Sequence, residues 1–317
     1  MSASNPTQSL RAQLTSDDVA TRQLALIEQQ ASDDTPALDV VLPALEDSDA
    51  TVRRLALELL EQLGDPAAIV AIGRAVDDDD PDVRQAARLA LREFRDEAAL
   101  APLMSLTKQP SAAVRPAALI ALREQRQPLA RSTIERCLHD ADPNVRREAV
   151  IALAYLRDPS VTTALLGVAH DLDAGVRKLV VSALGLLGGM DATNVALELT
   201  RDADWQVRRE AALALGRLQL ELATTTSALL ALLGDGYFQV RKQAIEALGK
   251  LRAQRAVPAL MQHLSHPAPD LRKAAASALG ELSAHEANNA LQALLEDDDV
   301  EVRKCARRAL TALRELQ

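Results

Sequence analysis

The apolar positions of this chain fall into a frame that returns every 31 residues. Each copy is marked by an arginine that follows valine, leucine or, once, threonine. The marks are Arg22, Arg53, Arg84, Arg115, Arg146, Arg177, Arg208, Arg241, Arg272 and Arg303. Only the step from Arg208 to Arg241 differs, at 33 residues, which places a two-residue insertion in the loop expected around 220–226. With the arginine as position zero, a small residue is usual at +3, as at Ala56, Ala149 and Ala244. An Ala-Leu pair fills +6 and +7 from the third copy onward, as at Ala152-Leu153. Those offsets keep one stripe of a 3.6-residue helix apolar. Shorter upstream runs, "AAIVAIGRAV" and "VPALMQHL" among them, supply a first helix. A fixed period of this length predicts an all-α array of about ten two-helix units.

The helix starts are marked as well. Asp49, Asp80, Asp142, Asp173, Asp204 and Asp299 stand at −4, where a carboxylate caps free N–H groups of the first turn. Pro81 and Pro143 follow at −3, a position that tolerates proline. A second acidic position recurs at −6, with Asp47, Asp78, Asp140, Asp171, Asp202, Asp235 and Asp297. It should close the first helix and face the arginine, so that stacked units alternate Asp and Arg along one edge. Guanidinium groups bridge carboxylates bidentately, so this edge reads as structure rather than as a row of catalytic acids.

The pattern D-x-D-x-x-V-R-x-x-A…A-L-G-x-L resembles HEAT repeats, specifically the short phycobilisome-lyase-like class, and residues 199–216, "LTRDADWQVRREAALALG", carry it closely. The resemblance runs from about Leu10 to Leu316. It implies a right-handed α-solenoid in which the second helices line a concave face, and it names a fold far better than a function. A single solenoid is expected over 9–317 behind a disordered tail at 1–8. Repeat 1 serves as a degenerate cap, with Glu28, Gln29 and Gln30 facing solvent.

What varies between copies marks candidate function. The concave face should expose +1, +5, +8 and +9. Position +5 carries Leu89, Ile120, Ile151 and Leu213, and +9 carries Tyr155 and Leu186. Gly185, Gly216, Gly249 and Gly280 at +8 are expected to leave open space beside them. This reads as an apolar groove, because exposed apolar clusters mark interaction sites; the competing reading is that +5 is half buried by curvature. Position +1 ends in six consecutive basic residues, Arg147, Lys178, Arg209, Lys242, Lys273 and Lys304. That row is either a basic rim or a set of solvated partners for nearby aspartates. Trp205 and Phe238 occupy −3, and Tyr237 replaces the capping aspartate. Aromatics on turns are favoured hot spots; filling a gap left by the insertion is the plainer reading.

Composition narrows the partner. The net charge is −9, which opposes phosphate backbones and anionic membranes. Residues 1–158 hold 18 basic and 26 acidic side chains, whereas 159–317 hold 18 and 19. The start of the chain lacks the features of a secretory signal, and a cytoplasmic monomer is expected. Cys137 and Cys305 lie in distant repeats with no CxxC spacing. His139-Asp140 and His170-Asp171 fall one repeat apart, but the aspartates already serve the edge, so no metal is expected. His285-Glu286 is the sole His-Glu dipeptide, far short of the di-iron set of deoxyhypusine hydroxylase, another HEAT family. The acidic balance and five aromatics fit poorly with the HEAT-like alkylpurine DNA glycosylases. The reading is therefore a non-enzymatic scaffold for a protein or peptide, without a cofactor. The repeat class implies as alternatives a bilin-lyase-like subunit or an assembly factor for a multi-subunit enzyme.

Overall fold

The computed structural model describes residues 6–220 and 223–315, and these are helical throughout, with no strand among them. They form two compact units that divide after Leu156. Each unit contains five helix pairs. In the first, the second helices are Val19–Gln30, Ala50–Leu63, Pro81–Glu93, Val114–Gln125 and Pro143–Leu156. In the second they are Ala174–Leu187, Trp205–Leu218, Phe238–Lys250, Pro269–Glu281 and Val300–Glu315. Among the described residues, no helix is long and apolar enough to cross a membrane.

The repeating frame is the core. Val52, Ala56, Leu60, Val83, Ala87 and Leu91 are buried in the first unit, and Val240, Ala244 and Leu248 hold the same registers in the second. All six capping aspartates accept a first-turn N–H, as Asp49 does from Val52 at 3.0 Å. Asp18 caps repeat 1 in the same way.

The Asp–Arg edge has a direction. Six of the arginines use Nη1 for their own turn and the Nε/Nη2 fork for the next repeat. Arg53 donates through Nη1 to the Asp47 carbonyl at 2.8 Å, and through Nε and Nη2 to Asp78 at 2.8 and 2.7 Å. Arg22–Asp47, Arg115–Asp140, Arg177–Asp202, Arg208–Asp235 and Arg272–Asp297 repeat this geometry. The aspartate's Oδ1 also accepts the N–H two residues on, as Asp78 does from Asp80 at 2.8 Å. Hydrogen bonds from Arg53 and Arg272 hold the carboxyls of Asp78 and Asp297 below the ordinary aspartate value. One side chain thus ties a turn to itself and to its neighbour.

Two rungs differ. Gln109 stands where Arg84 would meet its aspartate, and Arg84 keeps only its own turn carbonyls. His266 stands opposite Arg241. Its Nδ1 accepts the Ala268 N–H at 3.0 Å, taking over the aspartate's local role, while the buried Arg241 Nε has no partner.

Position +11 takes a left-handed φ after seven of the ten second helices; the helices ending at Gln30 and Glu93 leave by Ala31 and Phe94 without one. The seven are Gly64 and Gly188 together with Arg126, Arg157, Gln219, Arg252 and Ser283, these last five with φ of 50–53°. Periodicity of apolar residues carries no signal for these five. The loop bearing the insertion is shorter than expected: Ala223–Thr226 form the first turn of the helix Ala223–Leu232, and residues 221–222 lie outside the described set. At the other end of the chain, a helix opens at Pro6, inside the stretch expected to be a tail, and residues 1–5 are outside the described set. Gln30, expected to face solvent, instead donates to the Leu55 carbonyl of repeat 2 at 3.1 Å.

Candidate interaction site

In the first unit the +5 stripe is graded. Leu89 is 47% exposed, whereas Ile120 and Ile151 are half buried. Leu89 and Ile120 meet Gln85, Arg88, Arg92 and Ala117 around a cleft of about 180 Å³. Tyr155 is exposed but not bare. The guanidinium groups of Arg123 and Arg126 lie 5.2 and 5.5 Å from its ring centroid, in cation–π range. Arg123 also reaches Glu148 at 3.3 Å, and burial still pushes that carboxyl above its usual range. Apolar spacing could not reveal this polar cluster, because its arginines sit at +8 and +11. Arg147 is half buried and donates to Asn144 at 3.1 Å.

In the second unit the glycines at +8 do not open space; this expectation is corrected. All four are buried. A Cβ on Gly249 would lie 2.9 Å from Ala278 Cα, and one on Gly280 would lie 2.9 Å from Ala309 Cα. The missing side chain lets the next helix close in, and the +6 alanine of that helix occupies the space. Leu213 is accordingly half buried, while Leu186 at +9 remains 68% exposed.

The basic row of the second unit is uneven. Lys273 pairs with Asp270 at 2.7 Å and Lys304 with Glu301 at 2.7 Å, each on its own helix. Lys178 donates to Gln206 at 3.2 Å, and Arg209 approaches Glu210 only at 3.9 Å. Lys178 and Lys242 form no ion pair among the described residues.

The turn aromatics come together. Trp205 and Tyr237 stack with ring centroids 5.2 Å apart and planes 13° from parallel. Tyr237 is 48% and Phe238 41% exposed, and Trp205 is half buried. Arg209 lies 6.0 Å from the Trp205 ring, and Arg208, already forked to Asp235, lies 5.9 Å from the Tyr237 ring. The rings do not fill the gap of the insertion. Trp205 opens the 14-residue helix Trp205–Leu218, and the insertion follows its far end, about 20 Å away at 1.5 Å per residue.

Cys137 is buried, which pushes its thiol upward and disfavours the thiolate. Asp140 is committed to Arg115 and to the Asp142 N–H. Among the described residues, no three His, Cys, Asp or Glu side chains converge as a metal site would require.

The sequence matches the family model described as HEAT repeats over residues 7–92, 70–140, 100–183, 131–216, 165–236 and 226–314. No curated protein matches it. Among solved structures, an engineered protein is similar at 22% identity and a TM-score of 0.54, over 98% of this chain and 99% of that one. Kap95p, solved with RanGDP, is similar at 14% identity and a TM-score of 0.63, over 98% of this chain and 48% of that one. The Kap95:Nup1 complex gives 15%, 0.60, 98% and 49%. Identities this low speak to fold alone.

Proposed function

Since the chain belongs to the HEAT-repeat family over nearly its whole length, we propose that it is a non-enzymatic, cytoplasmic interaction scaffold. It holds a segment of a partner protein against the face lined by its second helices. One observation carries this reading: Leu89, half exposed at a helix position that contributes nothing to the repeating core, sits at a cleft of about 180 Å³. Exposed apolar side chains beside a cleft favour a partner's apolar anchor. The solved complexes of Kap95p with RanGDP and Nup1 give precedent for protein binding by this architecture. The test is affinity capture with wild-type protein and Leu89→Asp, with thermal melts of both. The expected result is a partner retained by wild type and lost from an equally stable variant. Identical capture by both rejects the cleft.

The signature at residues 199–216 supports a second reading, a bilin-lyase-like subunit. Titrating free bilin with the purified chain tests it: an absorbance shift with saturation supports the reading, and an unchanged spectrum removes it.

A further inference from the structure

The second unit carries a surface that the repeating frame does not require. Trp205 and Tyr237 present a stacked pair at the starts of adjacent second helices, and Phe238 extends it into solvent. Repeat 8 has Tyr237 where most repeats hold the capping aspartate, and Tyr237 makes no side-chain cap. A negative charge is thereby removed where most other repeats hold one. One residue past the anchoring arginines, Lys178, Arg209 and Lys242 line the same edge on three successive helices. Further along, the equivalent lysines are neutralised by Asp270 and Glu301. Among the described residues no ion pair engages Lys178 or Lys242, Asp270 acts on Lys242 only at longer range, and Arg209 meets a carboxylate only at Glu210, 3.9 Å away.

We propose that this aromatic step, flanked by Lys178, Arg209 and Lys242, docks an extended acidic segment of a partner protein that also carries an aromatic or proline anchor. The proposal rests on the scaffold reading and adds to it a place and a ligand chemistry. The anchor lies on the stacked rings, whose faces suit flat or proline side chains. The carboxylates face the cations. Packed helices lie about 8–10 Å apart, and an extended chain rises about 3.3 Å per residue. Acidic residues about three positions apart therefore match the cations of successive helices.

A random 12-residue peptide display library selected on the full chain tests this, with an unrelated protein as control. Binding of the enriched peptides is then followed by fluorescence, because Trp205 is the only tryptophan. The expected peptides place acidic residues about three apart beside an aromatic residue or proline. Their affinity falls at least tenfold in Lys178→Glu/Lys242→Glu and in Tyr237→Ala/Phe238→Ala, falls with added salt, and is unmoved by Arg95→Glu, an exposed charge reversal in the first unit. Melting curves confirm that the variants are folded. Enriched peptides without an acidic excess, or with unchanged affinity for both double variants, overturn this inference and leave the scaffold reading standing. A single-stranded oligothymidylate that displaces the peptide at equal concentration overturns it in favour of nucleic acid. No enrichment over the control protein removes both readings.

Discussion

Eight residues past the anchoring arginine, four of the five repeats of the second unit carry glycine, Gly185, Gly216, Gly249 and Gly280, with Thr311 last, whereas four of the five in the first carry Gln30, Glu61, Arg92 and Arg123, with Ala154 last. The glycines bring successive second helices almost to backbone contact, with alanine as the facing residue. The first unit fills the same position with polar side chains that reach sideways: Gln30 to Leu55, Arg92 to Glu124 at 3.7 Å and Arg123 to Glu148. The Asp–Arg edge and the alanine core are common to both units, so the frame tolerates either solution. The difference bears on where a partner can sit. A seam closed by glycine and alanine leaves no room between second helices, and the exposed rings of Tyr237 and Phe238 lie at a helix start instead. The first unit keeps a cleft on the helix face itself.

The sharpest way to break this comparison is to place one side chain in both seams. Gly249→Leu should cost about 3 kcal/mol or more, because its branched side chain must displace Ala278. Arg92→Leu, at the same register in the first unit and solvent-exposed, should stay within about 0.5 kcal/mol. Urea unfolding of each variant decides it, and equal costs would dissolve the distinction.

The edge should instead behave alike in both units. Asp78→Asn and Asp202→Asn should each cost about 1–3 kcal/mol at neutral pH, as expected for a charged hydrogen-bond partner. The folded carboxyl of Asp78 titrates below its unfolded value. Its contribution is therefore complete above the ordinary aspartate value near pH 4 and is lost as pH falls through the folded value. The stability gap between Asp78→Asn and wild type should close in acid. Unequal costs in the two units would show that the edge depends on the seam.

Smaller gains should follow from repairing departures from the frame. Gln109→Asp supplies Arg84 with the carboxylate that other rungs possess and should add up to about 1 kcal/mol. Ser283→Gly relieves a left-handed residue with φ of 53° and should add about 0.5 kcal/mol. The smallest effect is confined to the polar seam. Burial, together with Glu93 and Glu58, raises the Glu61 carboxyl. The Glu61 contribution to stability is therefore greatest below the ordinary glutamate value near pH 4.3 and declines as pH rises through the raised one. Glu61→Gln should melt higher than wild type at pH 7 and alike at pH 4, as followed by circular dichroism.

The fold was largely legible in the chain, because each rule of the frame recurs with the period and involves residues close in sequence. The caps at Asp49 and Asp204, the buried Ala-Leu pairs and the Asp–Arg edge all follow from one repeat and its copy. The candidate site was less so. A glycine on a helix face signifies open space or close approach, and only the distance to the next helix separates them; Gly249 and Gly280 fall on the second side. Residues with no special composition, such as Arg126 and Arg252, adopt left-handed closures because the chain must turn at that register. The stacking of Trp205 on Tyr237 joins residues 32 positions apart, and its placement on adjacent helix starts could be read from the register, although the geometry could not.

The two altered rungs have a consequence for how the molecule comes apart. Within each unit three arginines reach forward to one neighbour, so cohesion passes from copy to copy as in a chain of coupled links, and an array of this kind need not melt as a block. The links at Arg84 with Gln109 and at Arg241 with His266 lack the fork found elsewhere, one inside each unit. These are the points where partial opening should begin. Amides of repeats 4 and 9 next to those rungs should exchange with solvent ahead of their neighbours, giving each half of the chain its own built-in parting line.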